Sequence, residues 1–159
     1  VPLHSSEAEN GWYGIGHEWE KLEASLQHWT PRSQFGAVEH EGKVFMMGGV
    51  SGSGTVLNDV WAFDGGSWMR EKEAAEWQAR HNFACVVHQG RIFVVGGRTH
   101  NGLVNDVWSS SLANSFDSVI FEQRKGVETT ANQVLSTRER ALALSFKGNL
   151  YLFGGCRDG

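Results

Sequence analysis

Three stretches decide how this chain folds: TPRSQFGAVEHEGKVFMMGG (Thr30–Gly49), QARHNFACVVHQGRIFVVGG (Gln78–Gly97) and STRERALALSFKGNLYLFGG (Ser136–Gly155). They align without a gap. Each carries an arginine (Arg32, Arg80, Arg138) 16 positions before the first of two glycines (Gly48, Gly96, Gly154), and a further glycine (Gly42, Gly90, Gly148) 6 positions before it. The glycine pairs lie 48 and 58 residues apart, which makes the chain a repeat. Within one unit, an apolar run such as Phe83–Val87 reads as a buried strand and Arg91–Val95 as its return. Gln89-Gly90 reads as the tight turn between them, with glycine supplying a positive φ. The glycine pair carries no Cβ and admits a close backbone approach. One such hairpin is too small to stand alone, so units must stack.

A second hairpin follows each pair. Asn58-Asp59-Val60-Trp61 and Asn105-Asp106-Val107-Trp108 are the same strand in successive units. Trp61 and Trp68 are 7 apart across the turn signal Asp64-Gly65-Gly66, and Trp12 and Trp19 are 7 apart across Gly14-Ile15-Gly16. Residues 10–22 therefore read as the last two strands of an earlier unit. A third aromatic position precedes the repeated arginine by 3, as Trp29 and Trp77, with Leu135 in the last unit. All 7 tryptophans fall on repeat positions, which marks them as core packing.

Paired glycines, a downstream tryptophan, four strands per unit and a period near 50 resemble the kelch repeat of β-propellers over residues 10–159. The resemblance implies an all-β fold of blades, each with four antiparallel strands. The expected division is a lead-in at 1–9, the last two strands of a preceding blade at 10–22, complete blades at 23–71 and 72–123, and the first two strands of a following blade at 124–159. That is 12 strands, or three blade equivalents, against about four to eight blades in a propeller, so an incomplete propeller is expected, completed by further blades of the same protein or by a second copy. Phe35, Ala37, Val44, Met46, Phe83, Cys85, Ile92, Val94 and Leu150 are the expected core. The second unit departs from the pattern, with Phe121 in place of the last-strand tryptophan and extra loop expected near Ser110–Ser118 and Gly126–Gln133.

Composition agrees with a packed domain. Of 159 residues, 40% are hydrophobic and 20% charged, and Gly at 20 with Pro at 2 fits turn-rich β-structure. A net charge of −4 without a basic block argues against a nucleic-acid groove. The longest apolar runs, such as Val44–Met47, fall far short of the roughly 20 residues of a membrane span. The start has neither a secretory leader pattern nor a Met. Cys85 and Cys156 are too few for a disulfide framework or a four-cysteine zinc site, which leans to a reducing, cytoplasmic setting.

The resemblance also places the candidate site. It puts Arg32, Arg80 and Arg138 at the start of the inner strands, at the channel mouth. Two positions later come Gln34, Asn82 and Arg140, which line the partner-binding face in kelch substrate adaptors. Together these six form a polar cup whose arginine forks suit carboxylates, hence an acidic protein or peptide partner. The recurrence of Arg32, Arg80 and Arg138 also fits a framework role. The loops Ser51–Leu57 and Arg98–Val104, the latter with His100 and Asn101, should rise on the same face. His40 and His88 share a turn position with no recurring acid or thiol, so no metal and no cofactor are expected. No G-x-S-x-G, H-E-x-x-H or P-loop occurs. A non-enzymatic interaction scaffold or adaptor is thus the first reading. The alternative is a kelch-type carbohydrate-acting enzyme, either an oxidase of the galactose oxidase kind, whose copper needs two Tyr and two His where only Tyr13 and Tyr151 exist, or a sialic-acid mutarotase-like enzyme that uses arginine.

Overall fold

A computed structural model of the protein describes residues 28–111, 120–124 and 135–157 in full, and residues 12–15 and 18–21 as backbone. Among the described residues every regular element is a strand: β1 (Trp12–Ile15), β2 (Glu18–Lys21), β3 (Arg32–Ser33), β4 (Gly36–His40), β5 (Lys43–Ser51), β6 (Val56–Phe63), β7 (Trp68–Lys72), β8 (Ala84–His88), β9 (Arg91–Val95), β10 (Arg98–Thr99), β11 (Gly102–Leu103), β12 (Val107–Ser110), β13 (Phe121–Gln123), β14 (Glu139–Phe146) and β15 (Asn149–Cys156). β1 and β2 form an antiparallel hairpin. β4, β5, β6 and β7 form an antiparallel sheet in that order, with β3 beyond β4 along the same edge of β5. β8, β9, β12 and β13 repeat the order, and β14 with β15 repeats its first half. The fold is all-β and built of kelch-type blades, and the described sheets form an open array rather than a closed ring.

The hairpin turns follow from local geometry. Glu41-Gly42, Gln89-Gly90 and Lys147-Gly148 all have positive φ at both residues (51 and 75°, 48 and 69°, 47 and 76°), the geometry that matches strand twist in two-residue hairpins. Glycine is needed at only one of the two, so the first position varies.

The glycine pairs work differently, and each member has its own neighbour. A Cβ on the second glycine would sit 2.6 Å from the Ser33 carbonyl oxygen at Gly49, 2.8 Å from that of His81 at Gly97 and 2.9 Å from that of Glu139 at Gly155. That contact is within the blade. A Cβ on the first glycine would sit 3.0 Å from the Arg80 oxygen at Gly48 and 2.8 Å from the Arg138 oxygen at Gly96, both in the next blade. Gly49 N–H and Gly97 N–H donate to those same Arg80 and Arg138 oxygens, at 3.0 and 2.8 Å. The pair is thus one of the points where one blade's backbone is hydrogen-bonded to the next.

Blades stack through their inner hairpins, with β8 between β4 and β14. Phe45, Met47, Trp77, Phe83, Ile92, Val94 and Phe121 fill the first interface. Ala84, Val95, Val107 and Ala143 fill the second, with Val86, Phe93 and Leu152 packed against them. Gly36 leaves the space that the Phe83 ring takes, since a Cβ there would lie 2.5 Å from it. Phe121 lies opposite Ser110 as Trp68 lies opposite Phe63, so it occupies the last-strand aromatic position.

The expected core needs correction at its edges. Phe83, Met46, Ile92 and Val94 are buried, whereas Phe35 is 41% exposed, Val44 39% and Ala37 also exposed. Side chains alternate along a strand, so Phe35 and Ala37 point away from β8 while Gly36 and Val38 point toward it. Cys85 and Leu150 are half-buried. At the other end Leu142, Leu144, Phe146, Tyr151 and Phe153 are each at least 40% exposed. Their repeat equivalents Ala84, Val86, His88, Phe93 and Val95 lie in the second sheet, and β14–β15 packs against that face. Of the two expected loops, residues 112–119 and 125–134 lie outside the described residues. Ser110 itself is strand, closing β12.

Candidate functional site

The repeated arginines are held by partners that largely recur from unit to unit. Arg80 donates through both terminal nitrogens to the Asp106 carboxylate at 2.6 and 2.8 Å, through Nη1 to the Gly96 oxygen at 2.9 Å and through Nε to the Gln78 oxygen at 3.0 Å. Its side chain has 0% exposure. Arg32 does the same with Asp59 at 2.5 and 2.8 Å and with the Gly48 oxygen at 3.0 Å, also at 0% side-chain exposure. Arg138 keeps the bond to the Gly154 oxygen at 2.9 Å and turns its other donors to Ser136. Each aspartate also accepts from the indole of its own motif, Trp61 to Asp59 at 2.8 Å and Trp108 to Asp106 at 2.7 Å.

The Asn-Asp-Val-Trp motif is now explained residue by residue. Asn58 donates to the Ala75 and Trp77 oxygens, and Asn105 to the Leu135 oxygen, which ties each blade to the linker leading into the next. Asp holds the arginine, Val60 and Val107 are buried, and Trp supplies the second donor to the Asp. Arg32 and Arg80 are therefore framework groups with no side-chain surface left for a partner.

Gln34, Asn82 and Arg140 occupy one structural position three times. All are left-handed, at φ of 59, 54 and 59°, which non-glycine residues rarely adopt. Their backbones link across blades: Asn82 N–H donates to the Gln34 oxygen at 3.0 Å and Arg140 N–H to the Asn82 oxygen at 2.7 Å. The side chains of Gln34 and Asn82 reach forward in the same sense. The Gln34 Oε1 accepts from His81 Nδ1 at 2.7 Å, and Asn82 donates to Glu139 Oε2 at 2.8 Å. Gln34 and Arg140 are exposed, and Asn82 is half-buried.

Two residues of this face, His81 and Glu139, were not singled out by the sequence, and Arg98 entered only as the start of the Arg98–Val104 loop. The signal was available, since His81 and Glu139 follow the repeated arginine by one and Arg98 follows a glycine pair. His81 and Arg98 exchange backbone hydrogen bonds at 3.0 and 2.9 Å. Arg98 pairs with Glu139, its Nη2 lying 3.1 Å from Oε1, and Glu139 is buried at 8% exposure. Burial alone would raise the Glu139 carboxyl, but hydrogen bonds from Arg98 and Asn82 outweigh it and hold the group below the usual carboxylate range. His81 is shifted below its ordinary value, chiefly by burial, with Arg98 and Arg140 adding to the shift and Glu139 opposing it. Asp106 is likewise held low, the bonds from Arg80 and Trp108 overcoming burial.

The remaining candidates are placed as follows. His100 and Asn101 are exposed at the tip of the β10–β11 turn, and His100 Nδ1 lies 3.1 Å from the Gln78 amide. Ser51–Leu57 holds a chain of hydroxyl contacts from Ser51 through Ser53 to Thr55. At the opposite end of the strands His40 packs tilted against Phe45 and His88 edge-on to Phe93 across the hairpin, where Phe146 meets Tyr151 in the third unit. Among the described residues no three His, Cys, Asp or Glu groups gather as a metal site. The Cys85 thiol is pushed up to about 11, chiefly by burial, and Cys156 is exposed.

Comparison with known proteins agrees with this geometry. The family described as the KLHDC2/KLHL20/DRC7 Kelch-repeats domain matches residues 15–157. Kelch-like protein 41b of Danio rerio is 46% identical over 52 residues, which cover 32% of this chain and 8% of that protein. The match thus spans a small part of that relative's length. With the glycine pairs, the buried Arg–Asp–Trp units and the four-stranded blades all in register with a family match over nearly the whole sequence, the chain belongs to the kelch-repeat family.

Proposed function

We propose that the chain is a non-enzymatic protein-interaction scaffold or adaptor, and that its mouth face docks a protein or peptide segment bearing carboxylates. The units at 23–71 and 72–123 belong to the same reading. One observation carries it. The backbone at Gln34, Asn82 and Arg140 is fixed by identical left-handed geometry and by blade-to-blade hydrogen bonds, while the side chain differs in every unit. A rigid frame that displays changing side chains is what recognition on a repeat scaffold requires. The face carries Arg98 and Arg140, and the exposed His100 and Asn101 lie in the β10–β11 turn. Arg32 and Arg80 hold the frame from beneath, and Arg138 bonds to Ser136 and the Gly154 carbonyl.

The test separates recognition from framework. Peptides selected from a random displayed library on the immobilised protein are titrated against variants, with melting temperature recorded beside each. Arg140→Glu weakens acidic peptides by about 1–3 kcal/mol, the scale of one charge-assisted contact, with little change in melting. Arg80→Glu lowers melting as well. If Arg140→Glu binds every selected peptide as tightly as the parent, this cup is not the docking surface.

A further inference from the structure

His81 stands where the charges of the mouth converge. Gln34 faces it from the turn before β4, Arg98 from β10, and Glu139 and Arg140 from β14. The Gln34 partner is a carbonyl oxygen, so His81 Nδ1 must carry the proton that it donates at 2.7 Å. In the neutral ring this leaves Nε2 as a bare acceptor, which repels an incoming carboxylate. Only the imidazolium keeps its bond to Gln34 and also donates through Nε2.

Burial is the main force against a proton on His81, and the surrounding charges add to it. Glu139 is already committed to Arg98 and Asn82, so it neutralises one of the two arginines and leaves the other's charge acting against a proton on His81. A carboxylate brought in beside Arg98 and Arg140 cancels that opposition and supplies an acceptor.

We propose that His81 makes docking at this face proton-linked: a carboxylate-bearing peptide binds with uptake of a proton at His81 and is held more tightly as pH falls from 8 to 6. The proton comes from solvent and no bond other than N–H forms. The inference rests on the docking reading above and adds the regulation of that same site. The direction of the free His81 shift, below its ordinary value, agrees with a ring that is neutral until an anion arrives.

The experiment uses a capped hexaglutamate peptide and its glutamine counterpart as probes. Calorimetric titration at pH 6, 7 and 8, with pH 7 repeated in buffers of different ionisation enthalpy, reads affinity and proton uptake together. The glutamates stay ionised across this range. Hexaglutamate binds about fivefold to tenfold more tightly at pH 6 than at pH 8, with uptake of a fraction of a proton at pH 7. In His81→Gln both the pH dependence and the uptake disappear. Nuclear magnetic resonance titration of the His81 ring in the parent gives a check that does not depend on the variant folding, since its midpoint rises when hexaglutamate is added. Equal affinity at pH 6 and 8, or a pH dependence that survives in His81→Gln, overturns the proton linkage alone. Absence of hexaglutamate binding at every pH overturns the docking reading and the linkage with it.

Discussion

Replacing Asp106 with alanine tests the framework at Arg80, which is buried as a whole residue. The substitution removes both carboxylate contacts to Arg80, at 2.6 and 2.8 Å, and the acceptor of the Trp108 indole at 2.7 Å. Arg80 keeps its bonds to the Gly96 and Gln78 carbonyls, but its side chain has 0% exposure and loses its counter-charge. Leaving one partner of a buried ion pair costs about 3–5 kcal/mol, most of it the uncompensated charge. For a chain of this length that is a drop of roughly 6–20 °C in melting temperature. Arg138→Ala is the internal comparison. It loses bonds to one carbonyl and to Ser136 at a partly exposed site, which costs about 1–2 kcal/mol. Urea unfolding followed by tryptophan fluorescence measures both. The double variant Arg80→Ala with Asp106→Ala should be less destabilised than the two single losses summed, because no buried charge is left unpaired. The framework reading is refuted if Asp106→Ala costs less than about 1 kcal/mol, or if the double variant is as bad as the sum.

Three further outcomes follow from the same geometry. Gly97→Ala places a Cβ 2.8 Å from the His81 oxygen at a φ of +98° and should cost roughly 3 kcal/mol, whereas Gly42→Ala, at +75° with nothing within 4 Å, costs about 1 kcal/mol; equal losses in urea would contradict the close-approach account. Stability should be flat from pH 8 to 7 and fall in two stages below that. His81 has a folded value lowered from 6.5, so its contribution is lost as pH drops below about 6.5 and the unfolded chain takes the proton. Asp106 and Glu139 have folded values lowered from 3.8 and 4.5, so theirs is present above those values and lost as pH falls through the lower folded ones. Urea midpoints between pH 8 and 3 read this, and His81→Gln should erase the first stage only. Finally, a thiol-reactive dye at pH 8 should modify exposed Cys156 first and Cys85 slower by roughly two orders of magnitude, since a thiol at about 11 is almost wholly protonated; two equal phases would show that Cys85 is not held between blades.

Much of the architecture is legible before any coordinates. The gap-free spacing of arginine, turn glycine and glycine pair fixes which strands pair, because a two-residue turn and a period-2 strand leave one register that keeps the apolar side chains together. The equivalence of Trp68 and Phe121 and the stacking of hairpins came from the same spacing. It also held the framework role of the arginines, because a residue that recurs unchanged while its neighbours vary is tied to something that also recurs. Here that is the glycine carbonyl 16 positions on and the Asp of the next hairpin.

What the sequence could not carry is direction. Alternation assigns Phe35 and Gly36 to opposite faces but does not say which face meets another sheet, and the packing of Phe83 into the Gly36 gap decides it. Nor does spacing show that Gln34, Asn82 and Arg140 are left-handed, because, of the three, only Asn favours a positive φ. That conformation is imposed by the blade-to-blade hydrogen bonds around the mouth. The meeting of His81, Arg98 and Glu139 stayed hidden for the same reason. They are 17 to 58 residues apart in the chain and become one electrostatic group only because successive blades set their inner strands side by side. Local spacing determines the blade, while the charge pattern of His81, Arg98 and Glu139 exists only once blades are stacked.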